Sequence, residues 1–186
     1  MTRKQFLGYA WLVPAAPLML QACTSGTSNP SPDGTPDSLI VHQPPLEIDS
    51  FVLSDEEWRQ ILSDEEYHIL REEGTERPFS SPLLEEHRKG TFICAGCFLP
   101  LFSSETMYDS GTGWPSYWAP LPDVLGTKLD TKLATPRTEY HCIRCEGHQG
   151  HVFEDGPEPT GLRYCNNGLA LRFVPHDEAL PDLRTA

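Results

Sequence analysis

Basic charge is scarce in this chain: 14 lysines and arginines stand against 27 aspartates and glutamates, a formal net charge of -13. A polyanion such as nucleic acid has to be met by a basic face, so the composition excludes nucleic acid as a partner class. Long apolar runs are missing beyond Leu20, which leaves the N-terminus as the only part that can engage a membrane. Long helical periodicity is missing after Gly90, where apolar residues come in short runs broken by Gly, Pro, Ser and Asp. Much of the acid sits in Asp55-Glu56-Glu57, Asp64-Glu65-Glu66, Glu72-Glu73 and Glu85-Glu86, a pattern of solvated helix faces and not of a metal cluster. With 186 residues and 38% hydrophobic content, there is enough for one domain with a real core and some additional segments.

The N-terminus reads as an export signal. Arg3 and Lys4 form a charged start, and the apolar run from Phe6 to Leu20 is too short, and too broken by Pro14 and Pro17, for a stable span. Leu20-Gln21-Ala22-Cys23 resembles a bacterial lipobox, which makes residues 1–22 a lipoprotein-type signal peptide and Cys23 a lipidated first residue; an ordinary cleaved signal is the alternative. Thr2-Arg3-Lys4-Gln5-Phe6-Leu7 also resembles a twin-arginine signal with lysine in the second basic position. Residues 23–49, rich in Ser, Thr, Pro, Gly and Asp, carry too little apolar surface to offset the entropy of ordering and form a disordered tether. The expected location is outside the cytoplasm, lipid-anchored to a bacterial membrane and facing the periplasm or the cell exterior.

The body, residues 50–176, opens with two short helices: Ser54 caps Asp55-Glu56-Glu57 before Trp58, Ile61 and Leu62, and Ser63 caps Asp64-Glu65-Glu66 before Tyr67, Ile69 and Leu70. Gly74 is expected to end the second helix. Strands are expected at Thr91–Ile93, Leu99–Phe102, Thr138–His141, His151–Phe153 and Leu169–Val174, giving a mainly β, mostly antiparallel body. The last run alternates, with Leu169, Leu171 and Phe173 expected on the core face and Cys165 just ahead of the strand. Residues 177–186 read as a C-terminal tail.

Five of the six cysteines have a place apart from Cys165. Cys94-Ala95-Gly96-Cys97 and Cys142-Ile143-Arg144-Cys145 are two CxxC pairs, each following an expected strand, and four thiolates so arranged close tetrahedrally on zinc. Gly96 and Gly147 offer the tight turns a zinc knuckle needs. Disulfides, which an exported chain permits, and a dithiol redox pair are the competing readings. A fully thiolate-ligated zinc has no open position and is structural, one ion per chain.

Cys165 stands in Gly161-Leu162-Arg163-Tyr164-Cys165-Asn166-Asn167-Gly168, with His148, His151 and Asp155 just upstream. A lone cysteine is often an inert filler of apolar space. Beside a cation such as Arg163 or a protonated histidine it becomes a thiolate nucleophile.

Taken in order, Cys94–Cys97, Asp109-Ser110-Gly111-Thr112-Gly113-Trp114-Pro115-Ser116, Arg137-Thr138-Glu139, Cys142–Cys145, Gly150–Pro157, Pro159–Cys165 and Asn167 resemble the B-type methionine sulfoxide reductases. With Thr75–Phe79, the resemblance covers roughly Ser50 to Val174. It implies reduction of the R epimer of methionine sulfoxide in proteins, on a fold of two antiparallel sheets. It makes Cys165 the nucleophile that attacks the sulfoxide sulfur, His151 the candidate acid with His148 and Asp155 nearby, and Arg163 the group favouring the thiolate. Asn167 and His148 would order groups around the sulfoxide oxygen, and Trp114 would wall the methyl pocket. Thr112 stands where many members carry a resolving cysteine, so the sulfenic acid on Cys165 is expected to need an external thioredoxin-like or small-thiol reductant. Gln149, between the histidines, is a smaller departure, expected to tune substrate access. Two rivals remain, a zinc-ribbon-like binding module without the chemistry and a thiol oxidoreductase using its CxxC pairs.

Overall fold

The computed structural model describes residues 48–185. The expected signal peptide, the tether as far as residue 47 and the expected lipidation site Cys23 lie outside the described residues. Helices α1 (Asp55–Ile61) and α2 (Asp64–Glu72) each begin with a reciprocal capping box, Ser54 with Glu57 and Ser63 with Glu66, as their sequences predict. Trp58 and Phe51, meeting edge to face at 5.4 Å, and Ile69 and Leu70 anchor this pair to the body.

Nine strands follow: β1 (Gly90–Cys94), β2 (Pro100–Ser103), β3 (Met107–Tyr108), β4 (Ser116–Tyr117), β5 (Leu125–Asp130), β6 (Arg137–Cys142), β7 (His148–Phe153), β8 (Arg163–Asn166) and β9 (Leu171–Pro175). They form two antiparallel sheets, one of three strands ordered β2-β1-β9 and one of six ordered β3-β4-β8-β7-β6-β5. Phe92 and Phe102 of the small sheet pack on Tyr117, Tyr140 and Tyr164 of the large one, with Phe102 stacked on Tyr117 at 4.1 Å. This buried aromatic layer fills the inner face of the large sheet and leaves its outer face for the polar residues of the candidate site.

Several local expectations are corrected. The left-handed residue that ends α2 is Glu73 at φ 56°, not Gly74; its carboxylate is held by Lys128 and Lys132 across the chain, which offsets the backbone strain. The knuckle glycines do not supply the turns either: Phe98 (φ 65°) and Glu146 (φ 58°) take the left-handed positions. Gly96 and Gly147 provide space instead, since a Cβ on each would stand 3.4 and 3.3 Å from the Cys145 sulfur. Leu169 belongs to a 3-10 turn (Gly168–Ala170) and is exposed, so β9 starts two residues later than the alternation suggests. The C-terminal segment docks on the first knuckle, where Arg184 N–H donates to the Cys97 carbonyl at 3.2 Å.

Candidate active site

The two CxxC loops are built alike. In the first, Phe98 N–H donates to the Cys94 carbonyl and Cys94 N–H to the Leu99 carbonyl; in the second, Glu146 N–H donates to Cys142 and Cys142 N–H to Gly147. This matched winding points all four thiols inward, buried, with every sulfur within 4.8 Å of the others. Cys94 and Cys145 are 3.6 Å apart and Cys97 and Cys142 3.5 Å apart. Four sulfurs ~2.3 Å from one tetrahedral ion would stand ~3.8 Å from each other. The cysteines are free and so spaced that the set fits a structural zinc ion, with Cys94, Cys97, Cys142 and Cys145 as its ligands, and does not fit disulfides. A closed four-thiolate shell holds β1 and β6 together and leaves no position for substrate.

Cys165 lies within its own strand, β8, between β4 and β7, and not ahead of β9 as the alternation suggests. The registers place Lys128, Glu139, His151, Cys165, Ser116 and Tyr108 directly opposite one another, one from each strand of the six-stranded sheet. Directly opposed residues share a face, so the thiol and the imidazole of His151 are neighbours on the outer face. Beneath them Gly150 is required: a Cβ there would fall 1.9 Å from the Cys165 carbonyl oxygen.

The segment Glu73–Phe79 runs across this outer face and roofs it. The Glu76 carboxylate accepts from the backbone of Gly168 (2.5 Å) and Leu169 (3.2 Å), just past β8. Its N–H donates to the Asn167 side chain and its carbonyl accepts from Trp114 Nε1 at 3.1 Å. Phe79 N–H donates to Gly113. What remains open is a cleft of roughly 110 Å³ whose lining includes Trp114, His151, Cys165, Asn167, Phe153 and Arg137. That volume suits one side chain.

Opposed influences act on the thiol, with Arg163 on the side of the thiolate as expected. Arg163 is bound in a fork by Asp155, at 2.8 Å on both nitrogens, so its charge is largely neutralised. Burial pushes the Cys165 thiol above its ordinary value; Arg163 and the Thr112 hydroxyl pull it down, and Asp155 opposes them. Asp155 is directed to Arg163 and not to a histidine. His148 is fully buried and does not line the cleft; it stands behind His151, ring centroids 5.5 Å apart, with Nδ1 3.1 Å from the buried Glu139 carboxylate. His151 is held by a residue that sequence reasoning passed over: its Nε2 lies 2.7 Å from Asp130 Oδ2.

A SelR domain model matches residues 62–175. Proteins described as peptide methionine sulfoxide reductase MsrB are similar at 48% identity in Hahella chejuensis (68% of this chain, 91% of that one) and 52% in Agrobacterium fabrum (66% and 91%). A third, from Methanosarcina barkeri, is 50% identical over 67% of this chain and 89% of its own. This chain belongs to the SelR-domain family of B-type methionine sulfoxide reductases.

Within this SelR domain, the cleft gathers Cys165, His151, Asn167 and Trp114, with Arg163 on the next strand position and Asp155 outside it. Asp130, Glu139 and Glu76 were not assigned roles from sequence. Asp130 also accepts from Arg137 (2.6 Å) and from Lys132 N–H (2.9 Å), which close the β5–β6 hairpin. These contacts depress its carboxyl well below the usual range. An Asp just before a turn and an Arg just after it were the available signal. Their link to His151 depends on the pairing of β6 with β7, which no local spacing discloses.

Proposed function

We propose that this protein reduces methionine R-sulfoxide in peptides and proteins through a sulfenic acid on Cys165. The Cys165 sulfur attacks the sulfoxide sulfur while a proton passes to the sulfoxide oxygen. In the resulting S–S-bonded adduct the hydroxyl passes from the methionine sulfur to the Cys165 sulfur, so the S–O bond to methionine and the new S–S bond both break, leaving Cys165–SOH and methionine as the thioether. One external thiol then displaces water to form a mixed disulfide, and a second releases Cys165 as the thiol. The observation that carries this reading is the direct cross-strand pairing of Cys165 with His151 in a side-chain-sized cleft walled by Trp114.

In this reading His151 is the acid. With Nε2 engaged by the Asp130 carboxylate, the proton for the sulfoxide oxygen leaves from Nδ1 of the imidazolium, and Asp130 stabilises that cation. Asn167, with Nδ2 donating 3.0 Å to the Gln149 carbonyl and Oδ1 accepting from Glu76, is fixed at the cleft as an orienting group. Trp114 packs on the S-methyl group, a contact worth up to about 1 kcal/mol. Zinc, held by Cys94, Cys97, Cys142 and Cys145, supplies structure and no step of the reaction. Thr112, beside Cys165, has no thiol, and the other free cysteines among the described residues are the four clustered ones. An external thioredoxin-like or small-thiol reductant completes the cycle.

The export signal, the lipidated Cys23 and the tether of the sequence reading make this a membrane-tethered repair enzyme for exported proteins. The test of the chemistry is turnover of separated R and S epimers with dithiothreitol by wild type and Cys165→Ser. Turnover of the R epimer alone, lost in the variant, is expected. No turnover by folded, zinc-loaded protein would favour a binding module.

A further inference from the structure

Gln149 is completely buried and does not line the cleft, so it has no part in substrate access. Strand β7 pairs Gly150 with Tyr140 but His148 with His141, which leaves Gln149 as the extra residue of a β-bulge. A bulge frees one residue from the ladder and re-aims its side chain. Here the Gln149 amide turns to the cysteine cluster, where Nε2 stands 3.5 Å from the Cys94 sulfur. Its Oε1 accepts from Asn166 Nδ2 at 3.4 Å. Its carbonyl, released from β6, accepts both the backbone N–H of Asn167 (2.8 Å) and its side-chain amide (3.0 Å). Asn166 in turn accepts from the buried Tyr140 hydroxyl at 2.7 Å. One residue thus touches a metal-ligand sulfur and both residues that follow Cys165.

We infer that Gln149 is a positioning residue that couples the zinc site to the nucleophile strand, by donating an N–H···S hydrogen bond to the Cys94 thiolate while holding Asn166 and Asn167. The physical reason is charge. Four thiolates on one divalent ion leave a net charge of -2, and an amide N–H directed at one sulfur disperses part of it in a dry interior. A sulfur so engaged is a weaker electron donor and is less open to oxidation and to exchange off the metal. The same amide cannot move without disturbing Asn166, so loss of the metal loosens the strand that carries Cys165.

The experiment uses the full zinc-loaded protein and two apolar replacements, Gln149→Met, which keeps length, and Gln149→Leu. Zinc transfer to a colorimetric chelator is followed by absorbance. Release about tenfold faster than wild type is expected from each folded variant, the usual effect of losing a partner of a metal ligand. With cobalt(II) in place of zinc, the thiolate-to-metal charge-transfer band should move to lower energy in the variants, because an unbonded thiolate is the better electron donor. A packing role alone would not move that band in Gln149→Met. Release within twofold of wild type and an unshifted band, or wild-type protein that retains no zinc, overturns the inference. It rests on zinc occupancy and not on the reductase chemistry, so metal release and epimer turnover fail independently.

Discussion

Replacing Asp130 by asparagine isolates one carboxylate beneath the proposed acid. The His151–Asp130 contact at 2.7 Å joins a carboxylate to an imidazole in a site where both side chains are nearly buried. Hydrogen bonds to charged groups are worth about 1.5–3 kcal/mol. At about 1.4 kcal/mol per factor of ten, losing that stabilisation of the imidazolium lowers kcat by roughly 10- to 150-fold. The amide also allows the neutral ring to take the other tautomer, which acts in the same direction. Asp130 does not line the cleft, so KM for R-sulfoxide should change little. The assay is steady-state reduction of a methionine R-sulfoxide peptide with dithiothreitol across pH, together with iodoacetamide alkylation of Cys165. Because Asp130 also closes the hairpin through Arg137, the thermal midpoint of Asp130→Asn is measured alongside its kinetics. A folded Asp130→Asn with kcat within twofold of wild type would refute the assignment of His151 as an acid held by Asp130.

Other outcomes follow from the same geometry. Asp155→Asn removes the group that neutralises Arg163 and itself pushes the Cys165 thiol up, so half-maximal alkylation should move to lower pH; movement upward would contradict the balance of charges at the thiol. Cys94→Ser, or exhaustive chelation, removes structural zinc whose binding supplies on the order of 10–16 kcal/mol in small metal-folded domains, comparable to a whole domain's stability. Loss of the cooperative thermal transition, read by calorimetry alongside zinc content, is therefore expected. Glu73 is held at about 2 by Lys128 and Lys132, and Asp130 is also depressed. A carboxyl depressed in the fold contributes stability that is complete above the unfolded value of about 4 and fades as pH falls toward 2. Urea midpoints should fall across that window, and Glu73→Gln should flatten the fall. Wild type taken through one turnover without reductant should carry Cys165–SOH, trapped by a dimedone-type probe, and no intramolecular disulfide by mass.

Much of the architecture and chemistry was legible locally. Both capping boxes, both CxxC pairs and the run around Cys165 are short-range patterns, because helix caps and metal knuckles are set by residues a few positions apart. Strands β3 and β4 are two residues each, too short for alternation to register, and β8 was hidden because its burial is mixed. The left-handed positions at Glu73, Phe98 and Glu146 were assigned to neighbouring glycines, since propensity favours glycine where a long-range ion pair or a metal loop has the final say.

Residue type and spacing pointed to a four-cysteine metal site and to a β body of short strands after the opening helices, and the order of motifs around Cys165 carried the family resemblance. Tertiary structure decided who serves whom. It set His151 against Asp130, confined Arg163 to Asp155, withdrew His148 from the cleft and turned Gln149 toward the zinc ligands. Those assignments depend on strand register and on one bulge in β7. A shift of a single residue there would exchange the faces of the strand, and nothing in the local sequence carries that information.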